Sequence, residues 1–258
     1  MATLRALLLT LMVASVASAE IRTEVIEYET GGITFQGHVY WDDAKPGKRP
    51  GVLVVHEWWG CNDYARRRAS DLAALGYVGF ACDMYGAGTV TTDPAAAGTL
   101  AGAVKKDLPL LRARAMAGLQ QLAGFRFTDG EKLGAIGFCF GGSVVLELAR
   151  AGADIDAVAS FHGGLATTMP AQQGTIKAEV LVLNGAEDPM VSDAERTGFM
   201  KEMRTAKARW SFVELGGAVH SFTNPAANAM NNPAVKHDQR AEDQSWGMMR
   251  DLFTRAFT

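Results

Sequence analysis

The chain has 258 residues, 48% apolar and 21% charged, with a formal net charge of −3. These proportions belong to a globular chain with a sizeable core. The slightly acidic balance and the lack of any basic stripe exclude a general affinity for nucleic acid, and the run Arg66-Arg67-Arg68 reads as a solvated helix face.

The first segment reads as a leader. Arg5 precedes the mostly apolar run Ala6 to Val16, and Ala17-Ser18-Ala19 has the small-x-small pattern that signal peptidase accepts, with cleavage expected after Ala19. The run is too short to span a hydrocarbon core of about 30 Å. The expectation is an exported protein, periplasmic or secreted, with no stable membrane association after cleavage. Residues 20–258 would then form a single domain, as no linker or internal repeat divides them.

Ile21 to Thr30 and Ile33 to Trp41 alternate in polarity around Gly31-Gly32, which predicts a hairpin. Val52 to Val55 is a continuous apolar run, as in a strand buried on both faces of a parallel sheet. A helix over 62–75, a strand over 77–83 and a Gly/Thr/Ala-rich loop over 85–98 follow. Residues 100–122 have helical spacing with a break near Pro109. Strands at 132–138, 155–161, 179–183 and 208–215 alternate with helices at 142–150 and 193–204, and a closing helix is expected over 233–257. Such alternation after a hairpin predicts an α/β fold, a mostly parallel sheet with helices on both faces.

Ligands of such sheets bind beyond the carboxyl ends of the strands, and the chemically capable residues fall there. Gly137-Phe138-Cys139-Phe140-Gly141 has the glycine spacing of a nucleophile elbow, with Gly142 extending the small patch. Asp188, in Gly185-Ala186-Glu187-Asp188-Pro189, is favoured over Glu187 as the carboxylate that orients an imidazole. His220 follows another strand on a flexible loop, where it could reach Cys139 and raise its thiolate fraction. Glu57 follows the strand over 52–55. His162 ends a strand at the pocket, whereas His38, His56 and His237 read as structural. No dinucleotide loop is present, since Gly134-Ala135-Ile136-Gly137 lacks the required spacing, and no His/Cys set matches zinc; neither cofactor nor metal is expected.

His56-Glu57-Trp58-Trp59-Gly60, Asp83-Met84-Tyr85-Gly86, the elbow at Cys139, Gly185 to Pro189 and His220-Ser221-Phe222 together resemble the dienelactone hydrolase family, of the α/β-hydrolase superfamily, over the whole mature chain. The resemblance implies a Cys139–His220–Asp188 triad cleaving a small ester or lactone through a thioester. It implies that Glu57 holds the resting thiol, and that the backbone N–H groups of Phe140 and Trp58 form the oxyanion hole. Trp59, Tyr85, His162 and Phe222 are the expected pocket residues.

Two arginines that bind the substrate carboxylate in the chlorocatechol-pathway members are missing. Asn224 stands where one would be, and Tyr85 to Asp107 contains no arginine. A neutral or aromatic ester is therefore expected in place of an anionic lactone. Of the three cysteines, an odd count in an oxidising compartment suggests one pair and one free thiol. Cys61 falls in the loop after one strand and Cys82 at the end of the next, strands that are neighbours in this fold, so a bridge between them and two unpaired small hydrophobes both stay open. An acyl-thioester hydrolase or transferase, or a binding protein that retains the fold, are the alternative functions. The expected partner is a small molecule bound by a monomer or small homo-oligomer.

Overall fold

The computed structural model describes residues 20–258, so the leader lies outside the described residues. β1 (Ile21–Thr30) and β2 (Ile33–Asp42) form the expected hairpin. β3 (Arg49–Val55), β4 (Val78–Cys82), β5 (Thr128–Phe138), β6 (Ala157–Phe161), β7 (Glu179–Gly185) and β8 (Arg209–Leu215) complete an eight-stranded sheet in the order β1-β2-β4-β3-β5-β6-β7-β8. β2 meets β4 antiparallel, and every pairing from β4 to β8 is parallel.

The helices are started by side chains that accept free N–H groups. Asn62 caps α1 (Asp63–Ala74), Asp93 caps α2 (Pro94–Lys105) and Asp107 caps α3 (Leu108–Gly124). Ser192 and Glu195 form a capping box on α5 (Asp193–Ala206), and Asp238 caps α6 (Gln239–Ala256). α4 (Phe140–Arg150) is the exception, because its N-cap is Cys139, which makes no side-chain cap bond.

Capping explains most boundary differences. The expected loop over 85–98 gives way to α2 at Pro94. The expected break near Pro109 falls at Lys106–Asp107, with Pro109 in the first turn of α3, where its missing N–H costs nothing. α6 starts at Gln239, since residues 225–230 form a 3-10 segment and Val235 bridges to His220.

Core side chains divide between the sheet faces. Leu53, Val55, Phe80 and Cys82 pack with α3, α4 and α5. Val52, Val54, Ala81 and Ile136 pack with α1 and α6, and Cys61 joins this second cluster. Cys61 and Cys82 thus lie on opposite faces and both are free thiols, so of the two open readings the structure has the unpaired one. Cys61 Sγ donates to Ala81 O at 3.6 Å, while Cys82 Sγ lies 3.5 Å from Tyr28 Oη. Burial raises the pKa of both, with Cys82 pushed up to about 12.

Candidate active site

The turn from β5 into α4 is made by close backbone packing. A Cβ on Gly137 would sit 2.0 Å from Gly141 O, and one on Gly141 would sit 2.2 Å from Val55 O. Both positions therefore need glycine, and the residue between them is forced out of the chain's path. Cys139 takes φ 53° and ψ −113°, a strained backbone for a residue with a side chain. Its N–H donates to Phe161 O at 3.0 Å and to His162 Nδ1 at 3.1 Å.

His162 is fully buried, at φ 41°, and its Nε2 lies 2.8 Å from Thr223 Oγ1. Because Nδ1 accepts the Cys139 N–H, the proton sits on Nε2. Burial first, then the neighbouring His220, keep its pKa well below the usual histidine value. His162 is thus a neutral prop behind the elbow.

His220 is held by backbone bonds from its N–H to Ala234 O at 3.1 Å and from Lys236 N–H to its carbonyl at 3.0 Å. The expected flexible loop is a pinned one. His220 Nδ1 meets Asp188 Oδ2 at 2.8 Å, and Asp188 Oδ1 accepts from Met190 N at 2.8 Å. Asp188 is buried, whereas Glu187 is exposed and accepts from Gly217 N. His220 Nε2 is buried without a hydrogen-bond partner and lines the same cavity as Cys139. Burial disfavours its cation, but attraction to Cys139 and the Asp188 bond outweigh this and raise its pKa to about 10.

Glu57 enters the cavity from the loop after β3. Its Oε1 accepts from Ser221 Oγ at 3.0 Å and its Oε2 from Asn224 Nδ2 at 2.6 Å. Burial raises its pKa, and these two hydrogen bonds oppose the shift. No hydrogen bond joins Glu57 to Cys139 among the described residues, so the expected hold on the resting thiol is replaced by one on Ser221 and Asn224.

The cavity measures about 680 Å³ and is lined by Trp58, Trp59, Tyr64, Met190, Met230 and Val235, among others. Among the described residues, its ionisable lining groups besides Cys139 and Tyr64 are Glu57, Asp63 and His220, with no arginine or lysine. Residues 35–257 match the family model of the dienelactone hydrolase family. The chain belongs to that family.

A solved dienelactone hydrolase-like promiscuous phosphotriesterase from metagenomic libraries is 40% identical, with a TM-score of 0.88, covering 93% of this chain and 100% of that one. A putative dienelactone hydrolase of Klebsiella pneumoniae shares the fold at 20% identity and a TM-score of 0.74, over 92% and 99% of the two chains. A putative carboxymethylenebutenolidase of Aquifex aeolicus is 26% identical over 216 residues, 81% of this chain and 91% of that one. The chain is accordingly a dienelactone hydrolase-like hydrolase.

Of the expected pocket residues, Trp59 lines the cavity together with Trp58. Tyr85, His162 and Phe222 do not; all three are buried behind the wall. Tyr85 Oη donates to Trp58 O at 2.9 Å, and Phe222 packs edge-on against His162. Arg68 also departs from the solvated reading. It is buried, ion-paired with Glu242, and donates to Thr223 O at 2.6 Å. His56, read as structural, is fully buried between Tyr85 and Phe140. Asn224, noted for the arginine it lacks, holds Glu57, and His237 pairs with Glu242. These roles depend on contacts between distant segments, and no local pattern announces them.

Proposed function

We propose that this hydrolase cleaves small neutral or aromatic esters or lactones, with Cys139 as nucleophile, His220 as proton carrier and Asp188 as its orienting carboxylate. The observation that carries the reading is the 2.8 Å Asp188–His220 hydrogen bond, which leaves Nε2 unpartnered in the cavity that Cys139 enters from the elbow. His220 Nε2 takes the thiol proton of Cys139 as the sulfur is engaged by substrate. The sulfur attacks the carbonyl carbon, and the oxyanion meets the N–H groups of Phe140 and Trp58. Phe140 is the first residue of α4, so its N–H has no intrahelical acceptor, and the helix dipole adds to its effect.

Collapse expels the alkoxide, which takes the Nε2 proton and leaves an acyl–Cys139 thioester. The thioester sulfur carries no charge, so the attraction that held the imidazolium is gone and His220 becomes a base. It removes a proton from water as the water attacks the thioester, and the sulfur leaves as thiolate. Glu57, buried beside this pair on Ser221 and Asn224, favours the cation on His220.

A cavity lined by aromatic side chains, with no arginine or lysine among its described lining residues, supports a neutral substrate over an anionic lactone. Neutral phosphotriesters are a second reading, supported by the same lining and by the 40% identical relative described as a promiscuous phosphotriesterase. The sequence pattern of residues 1–19 supports export to the periplasm or medium, where a small-molecule ester would be the partner. A panel of neutral and anionic esters and lactones, assayed with wild type and Cys139→Ala, tests the function. We expect neutral esters to have the higher kcat/KM and the variant to be inactive. Activity retained in Cys139→Ala, or a preference for a dienelactone carboxylate, would overturn the reading.

A further inference from the structure

We propose that His56 and Tyr85 are positioning residues that lock the two peptide planes on either side of Trp58, so that the Trp58 N–H is aimed at the substrate oxyanion before substrate arrives. The inference rests on the proposed acyl transfer at Cys139 and deepens it.

The His56 ring is fully buried, and both of its nitrogens are committed. Nε2 accepts the Met84 N–H at 3.2 Å. That fixes the neutral tautomer with the proton on Nδ1, and Nδ1 donates to the carbonyl oxygen of Glu57. Burial lowers the His56 pKa to about 4, so this tautomer persists through neutral pH.

The Glu57 carbonyl and the Trp58 N–H belong to one peptide unit. In a trans peptide they point in opposite directions, and no cis bond occurs among the described residues. Tying the carbonyl to a ring in the core therefore turns the N–H away from the core, to the side where Trp58 and Cys139 line the cavity. The next peptide is held as well, since the Trp58 carbonyl accepts from Tyr85 Oη at 2.9 Å. A turn so fixed cannot swing its donor away between turnovers.

The same ring joins the two halves of the hole. It lies 4.8 Å from the Tyr85 ring, edge-on, and stacks 5.7 Å from the ring of Phe140, whose own N–H is the second donor. A displaced His56 would thus disturb the Trp58 donor directly and the Phe140 donor through packing.

Two reactions at one sulfur separate this role from a structural one. Acylation by 4-nitrophenyl acetate passes through an oxyanion, whereas alkylation by iodoacetamide displaces iodide and forms none. In His56→Leu we expect the 4-nitrophenol burst to slow about 100-fold, the scale of one lost oxyanion donor, with the rate and pH profile of alkylation unchanged. Tyr85→Phe should slow the burst about 10-fold with the same split. His56→Asn, whose amide nitrogen can occupy the Nδ1 position, should recover most of the rate. A burst in His56→Leu within about threefold of wild type, or acylation and alkylation falling together, overturns the proposal. Should His56→Leu fail to fold, Tyr85→Phe decides, and acylation at the wild-type rate there overturns it. A burst that persists in Cys139→Ala overturns this proposal and the proposed nucleophile together, which tells the two failures apart.

Discussion

At the scale of single residues, the site depends on groups that the fold holds away from their ordinary states. His220 has a pKa near 6.5 when unfolded and about 10 in the folded protein. A raised value means that the folded state binds the extra proton, so the stabilisation is complete below pH about 6.5 and is lost as pH rises through about 10. Chemical denaturation of wild type and His220→Gln across that range should show the wild-type advantage shrinking steadily as pH rises. A difference that grows with pH would contradict the assigned cation. Asp188 could be read in the sequence because it follows a strand end and precedes Pro189. His56 could not, because its role comes from Met84 and Tyr85, which are 28 and 29 positions away along the chain.

At the scale of elements, the elbow was legible because its constraint is local. Gly137 and Gly141 must be small where β5 turns sharply into α4, and the spacing records this. Gly141→Ala would drive a Cβ to 2.2 Å from Val55 O and 2.7 Å from His56 O, both backbone atoms with no freedom to withdraw. We expect a loss of about 1–3 kcal/mol in thermal or urea unfolding. Gly102→Ala is the counterpart, since it lies inside α2 with nothing within 4 Å, and should be neutral or stabilising by up to about 1 kcal/mol. Helix and strand types were legible from their periods, but the starts of α2 and α6 were not. Asp93 and Asp238 set those starts by accepting N–H groups, and the apolar spacing around them is silent on which aspartate caps.

At the scale of the whole molecule, the doubly covered sheet and its carboxyl-end site followed from the alternation of elements, whereas the division of side chains between its faces did not. That division separates Cys61 from Cys82. Intact mass of the folded, non-reduced described chain should therefore equal the fully reduced value, with three thiols titrating after denaturation; a deficit of two hydrogens would mean a bridge and a different packing of one of those loops. Long-range ties also lay beyond the sequence. Arg68 of α1 reaches Glu242 of α6 and the carbonyl of Thr223, and Thr223 supports His162 behind the elbow. One buried guanidinium thus links two helices to the wall of the site, although it sits in a run of three arginines that looks solvated.

All of these features converge on the Cys139 sulfur, and the proposed acylation there can be tested directly. Wild-type protein is mixed with 4-nitrophenyl acetate, quenched in acid during the burst, digested and weighed by mass spectrometry. The account predicts an acetyl group on the peptide containing Cys139, absent from Cys139→Ala and accumulating in a variant slowed in hydrolysis, such as His220→Gln reacted at high substrate. Turnover with no adduct at Cys139 in either protein, or an adduct on another residue that is chemically competent, would contradict it.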